Sequence, residues 1–154
     1  MKIRILAVGG RAPQWVEEGY AEYAKRLSRE FSLELIEITP PKHQGDVNRF
    51  KQLEADKINS LVKPKEYVVA LDEHGRQVDS KTLAKRLAHW RDQGRDVAFL
   101  IGGSDGLADE LLQRADEKLA LSHLTLPHYM VRVVLGEALY RAQSILQNHP
   151  YHRA

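Results

Sequence analysis

Two rhythms of apolar residues alternate along the chain, and each change of rhythm marks the end of an element. Residues 2–8 read KIRILAV, apolar and β-branched, and Gly9-Gly10 stops them: a first strand. Over residues 13–28 the apolar positions Trp15, Val16, Tyr20, Tyr23, Ala24 and Leu27 recur every three or four residues behind Pro13, which predicts a helix. Residues 33–38 (LELIEI) return to strand character and end at Pro40-Pro41, after which 42–46 form a polar loop. Val47, Phe50, Leu53, Ile58 and Leu61 mark a second helix on a charged background, closed before Pro64, with a solvated outer face. The run YVVAL at 67–71 suits a strand buried on both faces, and 72–75 (DEHG) then turn the chain. Leu83, Leu87 and Trp90 define a third helix over 80–93, capped by Asp79 or Ser80 and followed by Gly94. A fourth strand, VAFLI at 97–101, is followed by a short helix over 108–115, a short fifth strand at 119–121 and a final helix over 128–147.

This strand–helix alternation predicts an α/β fold with a mainly parallel sheet flanked by helices. In such a sheet the turns after the third, fourth and fifth strands share one edge, where α/β proteins place ligands. Leu71-Asp72, the segment Gly102 to Gly106 and the loop Ser122 to Pro127 therefore converge. The 154 residues carry no linker-like break, so one domain is expected over 1–154. Composition adds little: 43% hydrophobic and 29% charged residues are ordinary for a soluble domain. With 0 Cys, disulfides and thiolate metal sites are excluded, and the lack of a secretory apolar segment argues for the cytoplasm. A net charge of +2 permits a nucleic-acid partner without requiring one.

Candidate chemistry collects toward the C-terminus. Gly102-Gly103-x-x-Gly106 sits between a strand and a helix, where glycines let a ligand approach the backbone; it is neither G-x-G-x-x-G nor a P-loop, and a plain turn remains open. Ser122, His123, Leu124, Thr125, Leu126 and Pro127 offer backbone groups and two hydroxyls between apolar side chains, enough to hold an adenine edge. The alternative is an ordinary connection whose hydroxyls satisfy local backbone. The final helix is apolar nearly all round, with Arg132, Glu137 and Arg141 its charged residues, which predicts cover from a second subunit; Glu137 and Arg141, four apart, read by themselves as a surface ion pair. Its tail, Asn148-His149-Pro150-Tyr151-His152-Arg153, combines an imidazole, a stacking ring and an anion binder. His149-x-x-His152 hints at metal but lacks Cys or a paired carboxylate. His43, His74 and His89 read as surface residues, and Gly9-Gly10 as a turn.

The segments LIGGSDGL, LTLPH-x-x-VR, E-A-L-Y-R-A and the terminal N-H-P-Y-H-R, in this order, resemble the RlmH family of SPOUT methyltransferases, and VGGRAPQWVEEGYAEYAKR extends the likeness to the whole chain. The resemblance implies an α/β knot whose C-terminal segment forms a trefoil, an exception to the rule against threaded connections. It implies a homodimer with a composite active site, and S-adenosylmethionine, with no metal, as methyl donor. It also implies N3-methylation of a pseudouridine, position 1915 in helix 69 of 23S ribosomal RNA, in the assembled ribosome. Carried over by motif, Leu71, Gly103 and the loop Ser122, His123, Leu124, Thr125, Leu126 and Pro127 bind the donor, with backbone groups reading the adenine.

On the acceptor side a base or a cation must favour the anion of a weakly acidic imide. Imidazole titrates near neutrality, which singles out His152, with His128 as second candidate base. Arg141 and Arg153 are candidates for the developing oxyanion or a phosphate, and Tyr151 for stacking on the base. The rival readings are a non-catalytic ribosome-associated RNA-binding factor of the same fold and, further off, a metal-dependent hydrolase.

Overall fold

The structure is a computed structural model and describes residues 1–42 and 46–153. His43 and most of the polar loop expected over 42–46 lie outside the described residues. Five strands, β1 (Lys2–Val8), β2 (Ser32–Ile38), β3 (Tyr67–Gln77), β4 (Val97–Ile101) and β5 (Glu117–Ala120), form one parallel sheet in the order β2-β1-β4-β3-β5. Five α-helices connect or follow them: α1 (Gln14–Ala24), α2 (Val47–Leu61), α3 (Ser80–Asp92), α4 (Asp109–Arg114) and α5 (His128–Leu146).

The alternation of side chains along β1 builds the layers. Ile3, Ile5 and Ala7 point to one face, where they meet Leu83 and Leu87 of α3 and Leu135 and Leu139 of α5. Leu6 and Val8 point to the other, against Ala55 and Ile58 of α2 and Leu111 of α4. Two cores back one sheet, as expected of strands buried on both sides. At the strands' N-terminal edge Arg4 joins the second face and is neutralised there. It is 6% exposed, its Nε and Nη2 donate to Glu66 at 2.8 and 2.6 Å, and Nη2 also donates to the Leu61 carbonyl at 2.7 Å.

Boundaries from the apolar rhythm hold to within a few residues except in β3. The strand does not end at Leu71. It runs to Gln77, with Leu119 of β5 in register with both Leu71 and Arg76, so that Asp72, Glu73, His74 and Gly75 are extruded as a wide bulge. Gly75 permits this, because a Cβ there would meet the Lys118 and Leu119 backbone at 2.9 Å. The turn expected over 72–75 is thus an excursion inside a strand.

The helix α5 also departs from expectation. No side chain from His128 to Leu146 is exposed, because α1 and α3 flank it within the same chain. One protomer therefore supplies more cover than the sequence suggested, and the helix's apolar character alone does not demand a partner. Asp79 caps α3, accepting the Thr82 N–H at 2.7 Å, and this bond holds its carboxyl below the ordinary range. The cap's contribution is present above the unfolded-state pKa of an aspartate and is lost as pH falls through the lower folded value. Asp79→Ala should therefore lower Tm at neutral pH and converge with the wild type once the pH has fallen below the lowered folded-state value, as followed by circular dichroism.

Candidate active site

At the C-terminal edge of the sheet the β3 bulge, the turn after β4 and the loop before α5 enclose a cavity of about 860 Å³. This volume is in the range of small-molecule sites. Leu71, Gly103, Ser122, Leu124, Thr125, Leu126 and Pro127 all line it, so all but one of the expected donor-binding residues come together; His123 is exposed beside the cavity rather than lining it. Asp72, expected at this edge with Leu71, lines it too, and so do Glu73 and His74, which the sequence did not suggest because their segment read as a turn. His74, expected on the surface, is both exposed and part of this rim, whereas His89 is simply exposed.

Each of the three segments is shaped locally. In the turn after β4, Gly106 N–H donates to the Gly103 carbonyl at 3.0 Å, with Gly106 at φ 77. Beneath it, Glu54 of α2 is 4% exposed and lies 3.0 Å from where a Gly103 Cβ would stand. Burial, then the nearby Asp105 charge, push the Glu54 carboxyl up. In the loop before α5, Ser122 Oγ accepts the Leu124 N–H at 2.9 Å, the local bond anticipated for a plain connection. Thr125 instead donates to Glu73 Oε2 at 2.6 Å, fastening the loop to the β3 bulge. Apart from the Leu124 N–H, no backbone N–H or C=O of residues 122–126 bonds another described residue, which leaves them available to read a heterocycle's edge.

His128 opens α5 and lines the cavity, its ring 4.3 Å from that of Tyr129. Burial, then the Arg132 charge, hold its pKa below the ordinary imidazole value, so it is neutral at pH 7. Arg132 is 1% exposed, donates to Glu37 at 3.0 Å and lies under the Tyr129 ring. Its Nη2 would stand 3.0 Å from a Cβ on Gly9, so the Gly9-Gly10 pair, read as a turn only, also makes room for a buried cation.

The other candidates gather elsewhere. After Asn148, at φ 56, residues Pro150–Arg153 form a short 3-10 turn that folds back on α5. Tyr151 donates from its hydroxyl to Glu137 at 3.0 Å, its ring lies 4.7 Å from that of Tyr140, and the Arg141 guanidinium lies 4.9 Å from its centroid. Burial and the Glu137 bond push the Tyr151 phenol up to about 12. Arg141 also donates to Glu137, at 2.9 Å, so this carboxylate is a half-buried anchor of the tail and not a mere surface partner. His152 sits in the same turn with a buried Nδ1, while Arg153 is exposed. The Tyr151 N–H donates to His149 Nδ1 at 3.2 Å. At 1.5 Å and 100° per residue, Glu137 lies about 13 Å along α5 from His128 and on its opposite side. The cavity and the tail of one chain therefore face apart.

Glu137→Ala is predicted to free Tyr151 and Arg141 together. For the methyl transfer that the resemblance implies, turnover should fall roughly 10- to 100-fold through lost orientation, with donor affinity unchanged, as separated by calorimetry and single-turnover assays.

Comparison with known proteins agrees with this architecture. The family model described as a predicted SPOUT methyltransferase matches residues 1–152. Proteins named ribosomal RNA large subunit methyltransferase H match end to end: that of Nitrosomonas eutropha is 48% identical, over 100% of both chains, and that of Stenotrophomonas maltophilia R551-3 is 52% identical, again over 100% of both. That of Chromobacterium violaceum is 52% identical over 99% of each. A solved structure, a probable methylase family protein from Haemophilus influenzae, superposes with a TM-score of 0.56 over 97% of this chain and 69% of its own, at 14% identity, and so shares the fold. From residue 1 to residue 152, therefore, the chain belongs to the SPOUT methyltransferase family.

Proposed function

We propose that the protein is an S-adenosylmethionine-dependent methyltransferase that acts as a homodimer in the cytoplasm and methylates N3 of the pseudouridine at position 1915 of 23S ribosomal RNA in the assembled ribosome. The observation that carries this reading is the convergence of Leu71, Gly103, Ser122 and residues 124–127 on one cavity of nucleoside size. Its relatives' shared name supplies the ribosomal RNA substrate. Leu71, Leu121 and Leu126 offer apolar contact, and the unengaged backbone groups of 122–126 offer an edge for adenine. The residues present thus fit the donor. The trefoil knot belongs to the same proposal, with the turn after β4 and the loop before α5 as its crossing segments.

When bound, S-adenosylmethionine supplies a methyl group on a positively charged sulfur. The chain must orient the acceptor, exclude water and take one proton from N3, whose electron pair forms the new bond to carbon as the carbon–sulfur bond breaks. The neutral His128 faces the cavity and can accept that proton in cis. His152 is the other base, Arg141 and Arg153 neutralise the acceptor's oxygen charge, and Tyr151 stacks on the acceptor base. Because the tail of a chain faces away from its own cavity, the geometry favours its service to a partner's. Trp15, 55% exposed on α1 beside α5, supplies apolar surface for such a contact.

No helix among the described residues is long and apolar enough to cross a membrane. The decisive assay transfers labelled methyl from S-adenosylmethionine to ribosomes, to isolated subunits and to naked ribosomal RNA, and maps the product by mass spectrometry. Methylation at N3 of that pseudouridine in ribosomes supports the proposal. Ribosome binding without transfer would instead establish a non-catalytic factor.

A further inference from the structure

The wall of the cavity is unevenly charged. Asp72 and Glu73 from the β3 bulge, Asp105 from the glycine turn and Asp109 from the start of α4 all line it, and Lys51 is the one Lys or Arg in the wall among the described residues. The carboxylates come from three separate segments, so their meeting is a property of the fold and not of a local acidic run. Asp72 and Asp105 take part in no ion pair or side-chain hydrogen bond with a described residue; Glu73 is bonded to Thr125 and lies 3.5 Å from His74. Below the turn, Glu54 supplies a second kind of observation. It is 4% exposed, accepts no hydrogen bond from a described group, and its carboxyl is aimed at Gly103. Burial, then the Asp105 charge, oppose its ionised form, and Lys51 and Lys57 favour it, so the charges that face the cavity itself are those of Asp72, Glu73, Asp105 and Asp109 against Lys51. A site of this kind gains from a cation and gives no such preference to a neutral group.

We propose that Asp72 and Asp105, which line the cavity from two separate segments, are specificity-determining residues that bias it toward the cationic methyl donor and against the neutral thioether left when the methyl has gone. The inference rests on the cofactor reading above and deepens it. S-adenosylmethionine and S-adenosylhomocysteine share adenine, ribose and amino-acid groups; they differ by the methyl and its formal positive charge. Contacts from loop 122–127 that read the adenine hold both equally, so they cannot separate donor from product. The carboxylates can, because their field acts on the one charge that the reaction removes. They favour loading before transfer and release after it.

Calorimetric titration of the full-length protein with S-adenosylmethionine and with S-adenosylhomocysteine tests this without any turnover. The quantity read is the ratio of the two dissociation constants, product over donor. Asp72→Asn and Asp105→Asn should each lower it about threefold, as expected for a unit charge acting across a partly solvated cavity, and the double substitution should lower it further. Lys51→Gln should raise it. Added salt should flatten the wild-type ratio toward that of the double variant. Opposite movements from opposite charge changes separate the field from any damage to the fold, since a damaged pocket loses both ligands together. If both ligands bind and the ratio is unmoved by Asp72→Asn, Asp105→Asn and salt, the proposal is overturned and the cofactor reading stands. If the wild type binds neither ligand, the cofactor reading and the proposal fall together.

Discussion

Deleting residues 151–154 should abolish methyl transfer, by at least about a thousandfold, while S-adenosylmethionine still binds with wild-type affinity. The deletion removes Tyr151, His152 and Arg153 but touches nothing that lines the cavity. Stability should change little, because the 3-10 turn buries none of its residues fully. The sharper form of the prediction concerns which chain the tail serves. Glu137 and Tyr151 sit on the side of α5 opposite His128, so a tail held in that way cannot reach its own cavity. In a two-fold dimer the tail of each chain can meet the cavity of the other. Tail-less protein mixed with a full-length variant that cannot bind the donor should therefore regain activity, each being inactive by itself. A heterodimer then has one intact cavity facing one intact tail. Random exchange would restore about a quarter of the wild-type sites. Failure to recover activity in demonstrably mixed dimers would assign the tail to its own chain's cavity and sink the composite site.

What the sequence disclosed follows the range of the interactions involved. β1 and β4 were legible to the residue because KIRILAV and VAFLI are largely apolar runs each stopped by a glycine pair, a strictly local signal. So was the convergence at the sheet edge, which follows from parallel strands alone. The β3 bulge was not legible: Asp72, Glu73, His74 and Gly75 have the composition of a turn, and only pairing with Leu119 of β5, more than forty residues on, reveals the strand's return. The same holds for Glu137, whose spacing from Arg141 gave the ion pair but whose bond to Tyr151 depends on the tail doubling back. Arg132 read only as a charged position on the last helix, and Glu54 did not stand out from the charged background of its own; both are buried, each with a glycine, Gly9 or Gly103, lying against it. The one local signal for either was the glycine pair itself.

Gly102→Ala should cost the protein its donor site, with S-adenosylmethionine affinity falling by about a hundredfold or more, although the three glycines of the turn look interchangeable in sequence. A Cβ on Gly102 would stand 2.6 Å from the Gly106 carbonyl carbon and 2.8 Å from Gly106 O and Leu107 N. Those are backbone atoms, so no rotamer change relieves the overlap, and the turn closed by the Gly103–Gly106 bridge must open. Gly106 is needed for another reason: its φ of 77 is left-handed, yet nothing lies within 4 Å of its Cβ position. Gly106→Ala should then cost only about 1 kcal/mol in stability and leave donor affinity within a few fold. Gly103→Ala falls between them, since its Cβ meets a carboxylate oxygen of Glu54 at 3.0 Å, an atom confined by burial but not by the chain. The order Gly102, Gly103, Gly106 in lost affinity, measured by calorimetry on variants whose circular dichroism matches the wild type, is thus set by what each missing Cβ would touch. Should Gly106→Ala prove the most damaging, the turn's backbone conformation and not its closure against Gly102 would govern donor binding.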